Sequence, residues 1–147
     1  MATVHRETLI DAEPADVWAA IRDWGAVHRR LAPGFVVATE VEGDVRVVTF
    51  ADGTVVHELI VSLDDDTRRI AYTLVGGSLA PTHHHASMQV LPEADGRSRF
   101  VWTTDVQPAG CAEPIAAMVD QGVRVIRANL SDEAGRKGRV SARGPGA

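Results

Sequence analysis

Three adjacent histidines, His83, His84 and His85, sit inside the stretch PTHHHASMQV at residues 81–90. Imidazoles can ligate a metal, move protons near neutral pH, or simply occupy a strand. The stretch reads as a strand, because Ala86, Met88 and Val90 alternate with Ser87 and Gln89. Neighbouring side chains of a strand point to opposite faces, so the three rings cannot close on one metal ion. His83 and His85 share a face as an H-x-H pair, but a site there needs a third ligand, such as His57 from a neighbouring strand. No metal or other cofactor is therefore expected. His84 falls on the apolar face with Ala86, Met88 and Val90, where it either touches a ligand or caps the core.

The same alternation assigns other candidates. Tyr72 shares a face with Ile70 and Leu74, and Trp102 shares one with Phe100, Thr104 and Val106. Around Glu58 the pattern is open: Val56, Glu58 and Ile60 compete with Val55, His57, Leu59 and Val61, and raw hydrophobicity turns the second set inward. An inward Glu58 would be costly in an apolar hollow unless its carboxyl is neutral or paired with His84 or an arginine. Beside His84 or Tyr72 it would form a proton-transfer group, which makes Glu58, His84 and Tyr72 the candidate catalytic residues. The alternative is a solvent-facing glutamate opposite an arginine on the next strand. Cys111 precedes a helix start but has no His–acid partner beside it. No phosphate loop, nucleophile elbow, HExxH or CxxC occurs, and the run Asp64–Asp65–Asp66 reads as a hydrophilic hairpin tip.

The elements that must position these residues are marked by turns. EGDV (42–45), ADGT (51–54), DDDT (64–67), VGGS (75–78) and ADGR (94–97) recur about every ten residues, and their glycines suit tight hairpins. Six β-branched or alternating segments lie around them, from FVVATEVE (35–42) to SRFVWTTDV (98–106), and Thr3–Ile10 adds an earlier strand. Between the first two strands, Pro14 opens a helical stretch with Val17, Ile21, Trp24 and His28 on one face, ended by Pro33–Gly34, as one or two short helices. A second helix opens near Glu113–Pro114 and carries Ile115, Met118, Val119, Gly122, Val123, Ile126 and Leu130 at helical spacing over about twenty residues, ending before Gly135. This is an α+β chain: a seven-stranded curved antiparallel sheet wrapped around one long C-terminal helix, with two short helices between strands one and two. One helix cannot fill a wide concave face, so a hollow is expected between them. Trp24, Glu58, Tyr72, His84, Met88, Trp102, Met118, Gly122 and Ile126 are its expected lining, with Trp24 and His28 near the mouth. Gly122 in mid-helix costs about 1 kcal/mol against alanine, which close packing or room for a ligand would explain.

Composition bounds the partners. The chain has 147 residues, 45% apolar and 24% charged, with a formal charge of −5, which speaks against nucleic acid as a partner. A single cysteine fits a reducing compartment, and no stretch approaches a membrane span or signal peptide, so a cytoplasmic, non-membrane protein is expected. Residues 1–134 form the expected ligand-binding domain. Arg136, Lys137, Arg139 and Arg143 fall in residues 135–147, read as a flexible basic tail. A homodimer is a further possibility.

The entry IDAEPADVW (10–18), the strand RRIAYTLVGG (68–77) and the late strand GRSRFVWTTDVQP (96–108), in this order, resemble the START-like superfamily, also called SRPBCC or Bet v 1-like. The likeness covers roughly residues 2 to 134 and is greatest to its bacterial polyketide cyclase/dehydrase and lipid-transport group. It implies a helix-grip fold with a cavity between sheet and C-terminal helix. It also implies an acidic residue at the place of Glu58, which favours Glu58 inward. The function it implies is binding of a small hydrophobic or aromatic molecule in that cavity. The alternative is an aromatase/cyclase or dehydratase that positions its substrate there and moves protons.

Overall fold

The structure is a computed structural model that describes residues 2–142, with side chains as far as residue 138. Seven strands form one antiparallel sheet: β1 (Ala2–Ile10), β2 (Val36–Glu42), β3 (Val45–Phe50), β4 (Val55–Asp64), β5 (Arg69–Gly77), β6 (His83–Pro92) and β7 (Ser98–Gln107). Their spatial order is β1-β7-β6-β5-β4-β3-β2, a meander closed at one edge by the first strand. Strand β1 pairs with β7 along its whole length, from Ala2 opposite Val106 to Ile10 opposite Ser98.

Helix α1 (Pro14–Arg22) follows β1, and a five-residue π-helical turn (Val27–Leu31) replaces the second short helix expected there. Helix α2 (Ala112–Ala142) lies across the concave face. It runs on through Gly135 and Gly138 for 31 residues, well past the expected end. Neither glycine stops it, because no proline follows before its last turn and Arg136 and Lys137 are good helix formers. The expected basic tail is therefore helical as far as Ala142, and its remainder, Arg143 included, lies outside the described residues.

The alternating pattern explains the core. Ala86, Met88 and Val90 from β6, with Phe100, Thr104 and Val106 from β7, are buried beneath Ile115, Val119, Ile126 and Leu130 of α2. Polar ties fix the outer elements. Asp65 accepts from Trp18 Nε1 and Arg22 Nε, both at 2.8 Å, so the expected hairpin tip clamps α1. Arg22 beside it, and then Trp18, hold the Asp65 carboxyl below the usual carboxylate range. Asn129 Nδ2 of α2 donates to the Arg30 carbonyl of the π-helical turn at 2.9 Å.

Two irregularities shape the concave face. Strand β4 shifts register between His57 and Glu58 and again between Ile60 and Ser62, and such bulges bend a sheet. The stretch 75–78 is not the expected hairpin turn: Gly76 and Gly77 stay in β5, opposite His57 and Val56 of β4. Strands β5 and β6 pair only from Arg69 opposite Gln89 to Tyr72 opposite Ala86. Beyond that point they part.

Candidate functional site

The parting of β5 and β6 places His84. Continuation of their register would set Leu74 opposite His84 as a backbone pair. Instead the Leu74 backbone N–H donates to His84 Nδ1 at 3.2 Å, while the Thr73 hydroxyl donates to the His84 carbonyl. Side chains thus satisfy backbone groups that the ladder leaves over. His84 is 8% exposed, on the inner face as the alternation predicts. Burial first, then the neighbouring His85 and His83, hold its pKa down at about 4, so the ring is neutral at pH 7.

Glu58 also points inward, as the resemblance implies and against raw hydrophobicity. Its partner is Arg46, directly opposite on β3, whose Nε donates to Glu58 Oε1 at 2.7 Å. Arg46 is 4% exposed and Glu58 8%, so the pair is buried. The guanidinium lies 5.0 Å from the centre of the Tyr72 ring, and its Nη1 donates to the Trp24 carbonyl at 3.3 Å. Tyr72 accepts from Trp102 Nε1 at 3.1 Å. Burial, and then the Glu58 charge, push the Tyr72 phenol well above its ordinary range. The Tyr72 and His84 rings lie 6.0 Å apart, centre to centre.

Arg46 is the residue that sequence reading missed. Two signals were available. It shares a strand face with Val48 and Phe50, and it is as far from Asp52 of the ADGT turn as Glu58 is on the other side. A hairpin folded about that turn brings the two together.

These groups line two small chambers under α2. The first, of about 50 Å³, is bounded by Glu58, Tyr72, His84, Trp102, Thr104 and Met118 among others. The second, of about 40 Å³, is bounded by Arg46, Met88, Gly122 and Ile126, and shares Phe35, Phe50, Glu58, Tyr72 and Trp102 with the first. All the expected lining residues except Trp24 meet here. Trp24 lines neither chamber; it sits in the turn after α1, half-buried against the core, and its carbonyl accepts from Arg46. A Cβ on Gly122 would stand 2.9 Å from Trp102 Cζ3 and 3.2 Å from Phe35 Cε2, so close packing explains this glycine. Outside, an open groove of about 320 Å³ between the β3–β4 turn and the start of α2 shares Phe35, Phe50, Leu79 and Met118 with the first chamber.

His83 is exposed and His85 half-buried on the outer face, and among the described residues no three His, Cys, Asp or Glu side chains converge as a metal site would require. Cys111 is half-buried in the short turn (Ala109–Cys111) before α2. No described helix is long and apolar enough to cross a membrane.

Solved structures share this frame. The chain is similar to the protein XoxI of Bacillus cereus, with a TM-score of 0.81 and 18% identity over 90% of this chain and 97% of that one. It is similar to a protein of Thermobifida fusca, with a TM-score of 0.75 and 29% identity over 92% and 95% of the two chains. It is also similar to a point mutant of the norcoclaurine synthase of Thalictrum flavum, solved with a transition-state analogue, with a TM-score of 0.61 and 24% identity over 85% and 93%. No curated protein matches the sequence significantly. The model of the family described as polyketide cyclase / dehydrase and lipid transport matches residues 1–134, nearly the whole sheet-and-helix frame. Its fold is Bet v 1-like, and the chain belongs to that family.

Proposed function

We propose that this protein binds a small hydrophobic or aromatic molecule between the sheet and α2. The observation that carries this reading is the pair of chambers sharing Phe35, Phe50, Glu58, Tyr72 and Trp102, with an open groove against the first of them. Apolar walls with a few convergent polar groups are what small-molecule sites have in common. At about 50 and 40 Å³ the chambers are far below the roughly 300–1,000 Å³ of occupied ligand sites, so a ligand enters by displacing part of the wall. Phe35, Leu79 and Met118, which face both groove and chamber, are the residues to move.

Proton transfer by Glu58, His84 and Tyr72, as in a cyclase or dehydratase, is the alternative. Less supports it. Arg46 already bonds Glu58 Oε1, and His84 Nδ1 already accepts a backbone hydrogen bond that the ring must give up before Nδ1 can act as a base. Native mass spectrometry of the protein purified from its own host tests the binding reading. The expected result is a retained small apolar molecule. Absence of any retained molecule, together with no response to apolar fluorescent probes, overturns it. Turnover of a metabolite extract by the wild type that is lost in Glu58→Gln or His84→Ala would favour the enzyme instead.

A further inference from the structure

Two hydrogen bonds fix which way the protons of the first chamber point. A backbone N–H can only donate, so His84 Nδ1, 3.2 Å from the Leu74 nitrogen, is the acceptor of that bond. A neutral imidazole that accepts at Nδ1 carries its proton on Nε2. The bond stands where β5 and β6 part, so the ring replaces a missing ladder partner and is held in place. No described group accepts from Nε2.

The second bond is that of Tyr72. An indole N–H also can only donate, so the Tyr72 oxygen accepts from Trp102 Nε1 at 3.1 Å. The hydroxyl proton is then left to be donated, and no described group takes it. Glu58 lines the same chamber, but its hydrogen bond is to Arg46 rather than to Tyr72. The Thr104 hydroxyl, also on the wall, can donate or accept. Burial keeps both titratable donors in the form that matters, His84 neutral and Tyr72 protonated.

We propose that the first chamber is a carbonyl site, in which His84 Nε2–H and the Tyr72 hydroxyl donate to the carbonyl oxygen of a ligand whose apolar body lies toward the groove at Phe50, Leu79 and Met118. The inference rests on the binding reading above and narrows it to ligands with a ketone, aldehyde or ester head. The chamber suits a head group, since about 50 Å³ is several times what a single water needs. A ligand that brings no acceptor leaves two buried donors unpaired.

Two measurements test this separately from binding in general. Long-range ¹H–¹⁵N correlation of the free protein at pH 7 reads the His84 tautomer, with a proton on Nε2 and none on Nδ1 expected. The opposite tautomer overturns the proposal whatever binds. Titrations then compare 2-acetylnaphthalene with 2-isopropenylnaphthalene, which has the same shape with CH₂ in place of oxygen. The ketone is expected to bind roughly tenfold to a hundredfold tighter, with its carbonyl stretch shifted to lower frequency. Tyr72→Phe and His84→Leu should each shrink that preference while still binding the alkene. Equal affinities with an unshifted stretch overturn the carbonyl site and leave the binding reading standing. Binding of neither probe counts against both.

Discussion

Arg46 Nε and Glu58 Oε1 meet at 2.7 Å across β3 and β4, in a pair almost closed to solvent. Two charges withdrawn from water repay little net stability, yet removing one strands the other, at a cost of about 3–5 kcal/mol. Arg46→Leu should therefore destabilise the protein by about that much, and Glu58→Leu by a similar amount. The double variant should recover most of the loss, since the walls around it are apolar. Urea denaturation of the four proteins forms the cycle. Simple addition of the two single losses would show that the residues act independently.

The buried His84 makes stability depend on pH with a definite sign. Its pKa falls from 6.5 to about 4 on folding, so between these values the unfolded chain takes up a proton that the folded chain refuses. Stability contributed here is complete above pH 6.5, is lost as pH falls toward 4, and is level below that. The loss amounts to at most about 3 kcal/mol. His84→Gln keeps an acceptor for the Leu74 N–H and removes the titration. Between pH 6.5 and 4 it should lose less stability than wild type does, as read from denaturation midpoints across that range. Parallel pH curves for the two proteins would contradict the assignment.

Much of this site could be read before any coordinates. Alternation alone turns Tyr72, His84 and Trp102 inward, because on each of their strands one face is distinctly more apolar. It fails on β4, where the outward set of Val55, Leu59 and Val61 is more apolar than the inward one, and yet Val61 is 55% exposed. There the deciding fact is a pairing across a turn, Arg46 with Glu58, which no single-strand pattern contains. The parting of β5 and β6 was hidden for a related reason. Gly76–Gly77 reads locally as a hairpin turn, and only its pairing with β4 keeps it in the strand. Helix α2 runs past Gly135 because glycine lowers helix propensity without forbidding a helix.

Gly122 lets α2 close onto Trp102, which lines both chambers. An added methyl would stand 2.9 Å from Trp102 Cζ3, and Trp102 cannot simply swing aside while its Nε1 bonds Tyr72. Gly122→Ala gains about 1 kcal/mol of helix propensity, against about 1–3 kcal/mol for overpacking. The net expectation is a destabilised protein with altered tryptophan emission, since Trp102 must shift. An increase in melting temperature with unchanged emission would mean that the contact yields freely.

Gly77 and Gly96 both hold positive φ, at +108° and +83°, and differ in what surrounds them. Nothing lies within 4 Å of a Cβ built on Gly96, whereas one on Gly77 would meet the Val55 carbonyl oxygen and stand 2.8 Å from Val56 Cα. Gly96→Ala should then cost only backbone strain, about 1 kcal/mol. Gly77→Ala adds a collision with the backbone of β4 that no side-chain rotation relieves, for a total of several kcal/mol. The excess measures how tightly β5 is pressed to β4 at the point where it leaves β6. Because His84 is held by Leu74 on that same stretch, Gly77→Ala should also disturb the His84 ring resonances, whereas Gly96→Ala should leave them in place. Equal costs for the two alanines, with His84 unmoved in both, would show that β5 is free to lean away from β4 there.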